Sequence, residues 1–118
     1  MEKLIITAAL TGNVPTKKMN AALPVTPEEI ADDVRSCADA GAVLFHIHAR
    51  DRQMKPTLDC SIYREIVHEI EKRVPGVIIQ LSTGARAGKD WDARINPLRL
   101  NPEMGSFTTG SVNFPGMV

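Results

Sequence analysis

His46 and His48 are the residues whose type and spacing point most directly to chemistry. They close an apolar run, Gly41-Ala42-Val43-Leu44-Phe45, that breaks immediately afterwards into Arg50-Asp51. Strand side chains alternate between faces, so two histidines one residue apart point the same way, about 6.6 Å apart at Cα by the strand rise. That spacing lets both rings reach one metal ion. Neutral imidazole is the commonest metal ligand, and few protein ligands with an open position is the pattern of catalytic rather than structural zinc. Two histidines that merely line a strand end and hydrogen-bond to neighbours are the alternative. The position favours the metal, because the run is apolar throughout, as in a strand buried on both faces, until it reaches the histidines.

The elements that must hold this pair are marked by cap and turn signals. Leu4 to Ala9 reads as a first strand, ending at Thr11-Gly12-Asn13 and a loop rich in Pro, Lys and Asn. Thr26-Pro27-Glu28-Glu29 opens a helix: Thr26 is the N-cap, Pro27 suits the first helical position, and Glu29 completes a capping box. Ile30, Val34, Cys37 and Ala38 form its apolar stripe, and Gly41 suits its end. After the histidine strand, Asp59 caps a second helix with the stripe Tyr63, Ile66, Val67, Ile70 and Val74, stopped by Pro75-Gly76. A third strand over Val77 to Leu81 ends in Ser82-Thr83-Gly84. A short helix is expected around Trp91 to Ile95 and a fourth strand near Gly105 to Thr109.

The strands recur every thirty-odd residues, the length of a βαβ unit, without any repeat in the residues themselves. Buried strands alternating with amphipathic helices give an α/β fold with a parallel sheet, either doubly wound or part of a (β/α)8 barrel. In both, chemistry gathers at the carboxyl ends of strands. Those ends carry Thr11 and Asn13, His46 and His48, Ser82 and Thr83, and Ser106 and Thr108. A lone Ser or Thr after a strand is usually a turn residue, so the convergence of four strand ends carries the weight. Ser82 to Ala85 is also able to turn backbone N–H groups toward an anion.

Other readings are set aside. Gly84 to Lys89 is one residue short of a P-loop, and Asp90 stands where magnesium needs Ser or Thr. No G-x-S-x-G elbow makes Ser82 an acyl nucleophile. His68 lies off its helix's apolar stripe and reads as a surface histidine. The composition, 43% hydrophobic and 24% charged with 14 basic against 14 acidic residues, suggests neither nucleic acid nor membrane as a partner. Cys37 and Cys60 form no C-x-x-C pair and read as small apolar residues of a reducing compartment. No signal peptide or membrane span is read, so the expected location is cytoplasmic.

Taken together, Ile5 to Gly12, Leu23 to Ala31, His46-Ile47-His48, Ile79 to Gly84, Asn101 to Met104 and Gly110 to Phe114 resemble the amino-terminal part of the β-keto acid cleavage enzymes. The resemblance implies a zinc-dependent (β/α)8 TIM barrel in which a β-keto acid and an acyl-CoA, usually acetyl-CoA, exchange to give acetoacetate and a new acyl-CoA. It implies that His46 and His48 bind zinc and that Ser82, with the Gly84-Ala85 backbone, holds the substrate carboxylate. Ser106 falls where the family often has Thr, and Ser82 and Ser106 are the expected catalytic hydroxyls, with Thr108 beside them in the substrate site. A Glu ligand and an Arg and Asp pair come from later strands in the family.

Three departures qualify the transfer. Val14 stands where the aminohexanoate-cleaving members carry a Glu for the substrate ammonium, so Val14 is expected to select a neutral substrate end. Ala85 replaces a commoner Gly, and Ser106 replaces Thr. The largest is length: barrels of this fold run to about 250 residues. Residues 1–118 are therefore expected to be the amino-terminal three to four βα units of a single barrel domain, inactive in isolation and homo-oligomeric when full length. A metal-dependent hydrolase with H-x-H on its first strand, and a noncatalytic domain, are the alternatives.

Overall fold

The computed structural model describes residues 3–84 and 90–109. Its elements in chain order are β1 (Thr7–Ala9), α1 (Pro27–Asp39), β2 (Leu44–Ile47), β3 (Ala49–Arg50), β4 (Pro56–Thr57), α2 (Cys60–Arg73), β5 (Ile78–Leu81), α3 (Trp91–Ile95), a 3₁₀ turn (Asn96–Leu100) and β6 (Met104–Gly105). β1, β2, β5 and β6 make one parallel sheet in that order. β3 and β4 form a separate antiparallel ladder. Sheet neighbours therefore follow chain order. A doubly wound sheet reverses direction at its switch point, whereas barrel strands run on in sequence, so the topology resolves the two architectures in favour of the barrel.

The helix starts follow from local chemistry. Thr26 Oγ1 accepts from the Glu29 amide at 3.2 Å, while Glu29 Oε2 accepts from the amides of Thr26 and Val25 at 3.1 and 2.8 Å. Two N–H groups that a helix start leaves without partners, and the Val25 amide just before the cap, are thereby satisfied. Lys17 Nζ donates to the other Glu29 oxygen at 2.8 Å, tying the β1–α1 loop to the cap. Asp59 caps α2 by accepting from the Ser61 amide at 2.8 Å. Gly41 and Gly76, with φ of +103° and +87°, turn the chain out of the two helices into β2 and β5, conformations that side-chain-bearing residues rarely adopt.

The core lies between the sheet and the helices. Phe45, Ile47, Ile79 and Leu81 on one sheet face pack with Ile30, Ala31 and Val34 of α1 and Tyr63, Ile66 and Ile70 of α2. Each large side chain buried here contributes about 1.5–3 kcal/mol. Arg73 latches the helices together, donating to Asp32 Oδ1 at 2.7 Å and to the Glu28 carbonyl at 2.8 Å. Period-2 alternation then sends His46 and Gln80, paired in register across β2 and β5, to the opposite face, the barrel interior.

Two strands are shorter than their residues suggest. The β1 ladder covers Thr7–Ala9 rather than starting at Leu4, although the Ile6 carbonyl still accepts from Val43 and Leu44. β6 covers Met104–Gly105, and one further bond, Ser106 N to the Leu81 carbonyl at 3.1 Å, extends it. Both lie at sheet edges, where only one side has a partner to enforce extension. Leu4, Ile5 and Phe107 at these edges are 85%, 69% and 79% exposed.

The capping box supplies a test. Bonds from Lys17 and the Val25 amide hold the Glu29 carboxyl down at about 2, from an ordinary 4.5. A depressed folded-state pKa gives stability that is complete above the unfolded value and is lost as pH falls toward the folded one. Urea unfolding of wild type and Glu29→Gln should show a gap that is constant above about pH 5 and narrows as pH drops from about 4.5 toward 2. A gap of unchanged width at pH 3 would contradict this role for the charge.

Candidate active site at the carboxyl edge of the sheet

His46 leaves β2 on the interior face, and His48 follows it just past the strand end. Their Nε2 atoms lie 3.1 Å apart, with the rings edge to face at 76° and centroids 4.8 Å apart. The outer nitrogens are both engaged. His46 Nδ1 meets Gln80 Oε1 at 2.6 Å, and His48 Nδ1 meets Asn13 Oδ1 at 3.0 Å. An amide oxygen only accepts, so as these amides stand each Nδ1 is the donor, and in the neutral ring Nε2 then presents a lone pair.

The Asn13 orientation is fixed from its other end. Its Nδ2 donates to the Gly84 carbonyl at 2.7 Å, which leaves Oδ1 as the atom facing His48. Asn13 therefore joins the end of β1, the imidazole after β2 and the turn after β5. Burial, and behind it electrostatic repulsion from His46 and Arg50, hold His48 down at about 4 from an ordinary 6.5. At neutral pH its lone pair is available to a ligand-accepting partner such as a cation.

The loop that carries Asn13 is itself strained and pinned. Thr11 and Gly12 have φ of +52° and +68°. For a β-branched residue such as Thr11 this is an outlier, with a cost of about 1–3 kcal/mol that the surroundings must offset. The buried Thr11 hydroxyl donates to the Pro24 carbonyl at 2.8 Å, closing the loop base. Arg50, 5% exposed, donates through Nη2 to the carbonyls of Gly12 and Pro15 at 2.8 and 2.9 Å and through Nη1 to Met54 at 3.3 Å.

The other anticipated residues fall into two groups. Ser82 is 1% exposed, and its Oγ accepts from the Gly84 amide at 3.2 Å, while the Tyr63 hydroxyl reaches the Ser82 carbonyl at 3.4 Å. Ser106 Oγ accepts from the Thr83 amide at 2.9 Å and Thr83 Oγ1 donates to the Ser106 carbonyl at 2.7 Å. These bonds weld the ends of β5 and β6 together. Val14 sits next to Asn13 in the β1–α1 loop, 46% exposed, and Thr108 is exposed beyond β6. Ala85 lies outside the described residues. Among the described residues no group of three or more His, Cys, Asp or Glu side chains comes together.

Two contributors escape a reading by residue type alone. Gln80 is a single polar residue in the apolar strand Val77 to Leu81, and its alternation with Ser82 is the signal that marks it. Arg50 reads as the polar end of β2, but it is buried and belongs to the β3–β4 ladder, which has only two residues a side and no apolar periodicity to announce it. Asn13 is among the polar residues expected at the strand ends, and the fold brings it to His48.

The edge therefore gathers paired imidazoles, a buried hydroxyl turn and a second hydroxyl clamp from four strands. The model of the beta-keto acid cleavage enzyme family matches residues 3–118. Over 116 residues the chain is 44% identical to the 3-keto-5-aminohexanoate cleavage enzyme of Fusobacterium nucleatum, with 98% of this chain and 43% of that protein covered. It is 40% identical over 114 residues to the 3-oxoadipate:acetyl-CoA acetyltransferase of Cupriavidus necator, covering 97% of this chain and 40% of that one. It thus spans less than half the length of these curated relatives. The solved structure of ObcA in a ternary complex with a C4-CoA adduct and oxalate superimposes with a TM-score of 0.70 at 28% identity, over 80% of this chain and 25% of that one. The fold is α/β, the amino-terminal βα units of a TIM barrel, and the chain belongs to the beta-keto acid cleavage enzyme family.

Proposed function

We propose that residues 1–118 carry the metal-binding and carboxylate-binding strands of a single zinc-dependent barrel domain that converts a β-keto acid and acetyl-CoA into acetoacetate and an acyl-CoA. The observation that carries this reading is the convergence of the His46 and His48 Nε2 lone pairs, each ring held by an amide oxygen on its far side. The donor set fits zinc. Two imidazole nitrogens at about 2.0–2.1 Å from a tetrahedral ion stand about 3.3–3.4 Å apart, close to the 3.1 Å between these atoms. Zinc, when bound, supplies a Lewis acid for the β-keto oxygen.

The remaining roles belong to side chains and backbone. Ser82 and the Gly84-Ala85 segment are assigned to the substrate carboxylate, with Ser106 and Thr108 beside them in the substrate site, where hydroxyl and amide donors would stabilise developing charge. A two-histidine site needs at least one more protein ligand and the reaction needs a base, both assigned to later strands of the barrel. The names of the relatives that act with acetyl-CoA support the co-substrate. The hydrolase alternative places H-x-H on a first strand, whereas here β1 precedes and pairs with β2.

Substrate choice turns on Val14. Its side chain offers no charge to an ammonium, and an unpaired cation in a closed site is costly, so the substrate has a neutral or apolar distal end.

Two outcomes test this. Metal analysis of the barrel containing these strands should find about one zinc per chain, lost in His46→Ala and in His48→Ala; unchanged zinc in both variants would refute the ligand assignment. Turnover of 3-ketohexanoate with acetyl-CoA should exceed that of 3-keto-5-aminohexanoate, and Val14→Glu should reverse the order. A marked preference of the wild type for the amino compound would refute the reading of Val14.

A further inference from the structure

Arg50 is a buried cation with no carboxylate among its described hydrogen-bond partners. Its acceptors are three carbonyls, and two of them, Gly12 and Pro15, bracket Asn13 in the chain. A single Nη2 spans both at 2.8 and 2.9 Å, which fixes the separation of the two peptide groups and so the direction in which Asn13 projects. Asn13 then acts at two places at once, accepting from His48 Nδ1 and donating to Gly84. We propose that Arg50 is a positioning residue, whose hold on the carbonyls of Gly12 and Pro15 sets the Asn13 amide that selects the Nδ1–H tautomer of His48 and joins that ring to the Gly84 turn.

The alternative ways of holding the loop lack this effect. Thr11 pins the loop base to Pro24 and Lys17 pins its far part to Glu29, yet neither bond brackets Asn13. Arg50 also lies two residues past His48 on the same chain, so the stretch that presents the imidazole carries the group that orients its partner. A planar fork suits two carbonyls at a fixed separation, whereas a lysine ammonium is a point charge on a flexible stem.

The consequence for metal affinity rests on the zinc reading above, but the tautomer does not, and this separates the two. In the metal-free chain, ¹⁵N spectra of the imidazoles should show His48 as the Nδ1–H form. Asn13→Ala, Arg50→Met and Arg50→Lys should each move its tautomer ratio toward Nε2–H by about two- to tenfold, the worth of one hydrogen bond. His46, whose Nδ1 faces Gln80, should keep its form in all three, a distinction that general loosening of the fold would not make. Titration with zinc alone should then show affinity lowered by about 10–100-fold, as for other groups that orient a metal-binding imidazole.

Should Arg50→Met fail to fold, Arg50→Lys, which keeps the charge, decides the question by the same spectrum. A wild-type His48 signature in a folded Arg50 variant, or equal changes at His46 and His48, overturns the proposal. A tautomer shift in a complete barrel whose wild type takes up no zinc upholds the role of Arg50 and sinks the metal reading instead.

Discussion

Two imidazole nitrogens with their lone pairs opposed at 3.1 Å are the constraint on which the rest of this edge depends. Like partial charges at that distance repel, and the interior of a protein screens them less than water does. The arrangement persists because each ring is held from behind, His46 by Gln80 and His48 by Asn13. Remove either amide and the ring can turn or exchange tautomer, so that one Nε2–H donates to the other nitrogen. The pair would then satisfy itself and lose its appetite for a cation. The amides keep it unsatisfied, and burial, which holds His48 well below its ordinary pKa, works against relief by protonation.

Gln80 and Asn13 reach the pair by different routes, with different rigidity. Gln80 is on β5 in register with His46, so its placement is inherited from the parallel ladder and from the Ile79 and Leu81 side chains packed beneath it. Asn13 is on a loop, and loops hold precise geometry only when pinned. Here the pins are Thr11 on Pro24, Arg50 on Gly12 and Pro15, Lys17 on Glu29 and Asn13 itself on Gly84. The positive φ of Thr11 is tolerated because this set of bonds over-determines the turn. Local strain is thus placed where it aims a side chain, next to the imidazoles, rather than in the helix layer.

What could be read in the residues follows the range of the forces involved. The capping box at Thr26 and Glu29, the Asp59 cap and the two apolar helix stripes are local, and they stand where the pattern puts them. Alternation alone places His46 on the inner face and Phe45 and Ile47 in the core. Strand ends at the sheet edges are less legible, since Leu4 to Ile6 have strand-forming side chains but no neighbour on one side. The β3–β4 ladder and the bonds of Arg50 were not legible at all. The ladder has two residues a side and no apolar period, while the Arg50 bonds to Gly12 and Pro15 join residues 38 and 35 apart in the chain, and a charged residue after a strand reads as solvated when nothing local says that carbonyls await it. The hydroxyl clamp of Ser106 on Thr83 is non-local in the same way, joining two turns 23 residues apart.

The division of the molecule into two layers explains why the imidazole pair can be orderly in a sheet with open edges. The layer between sheet and helices is filled by residues of this chain, with Phe45, Ile47, Ile66, Ile70 and Leu81 excluded from solvent. The opposite layer is thinner: the strands give it Thr7, Ala9, Leu44, His46, Ile78 and Gln80, and barrel interiors are normally closed by side chains from strands on all sides. The curated relatives are more than twice as long as the stretch they share with this chain, which is the length such closure calls for. Strand direction, register and imidazole orientation are set by the filled layer and the pinned loop. Closure of the other layer governs solvent access and local polarity, the factors that tune a metal site after its ligands are placed. The two demands are separable, so the imidazole geometry can be built by the first strands, leaving whatever needs a water-poor cavity to the barrel as a whole.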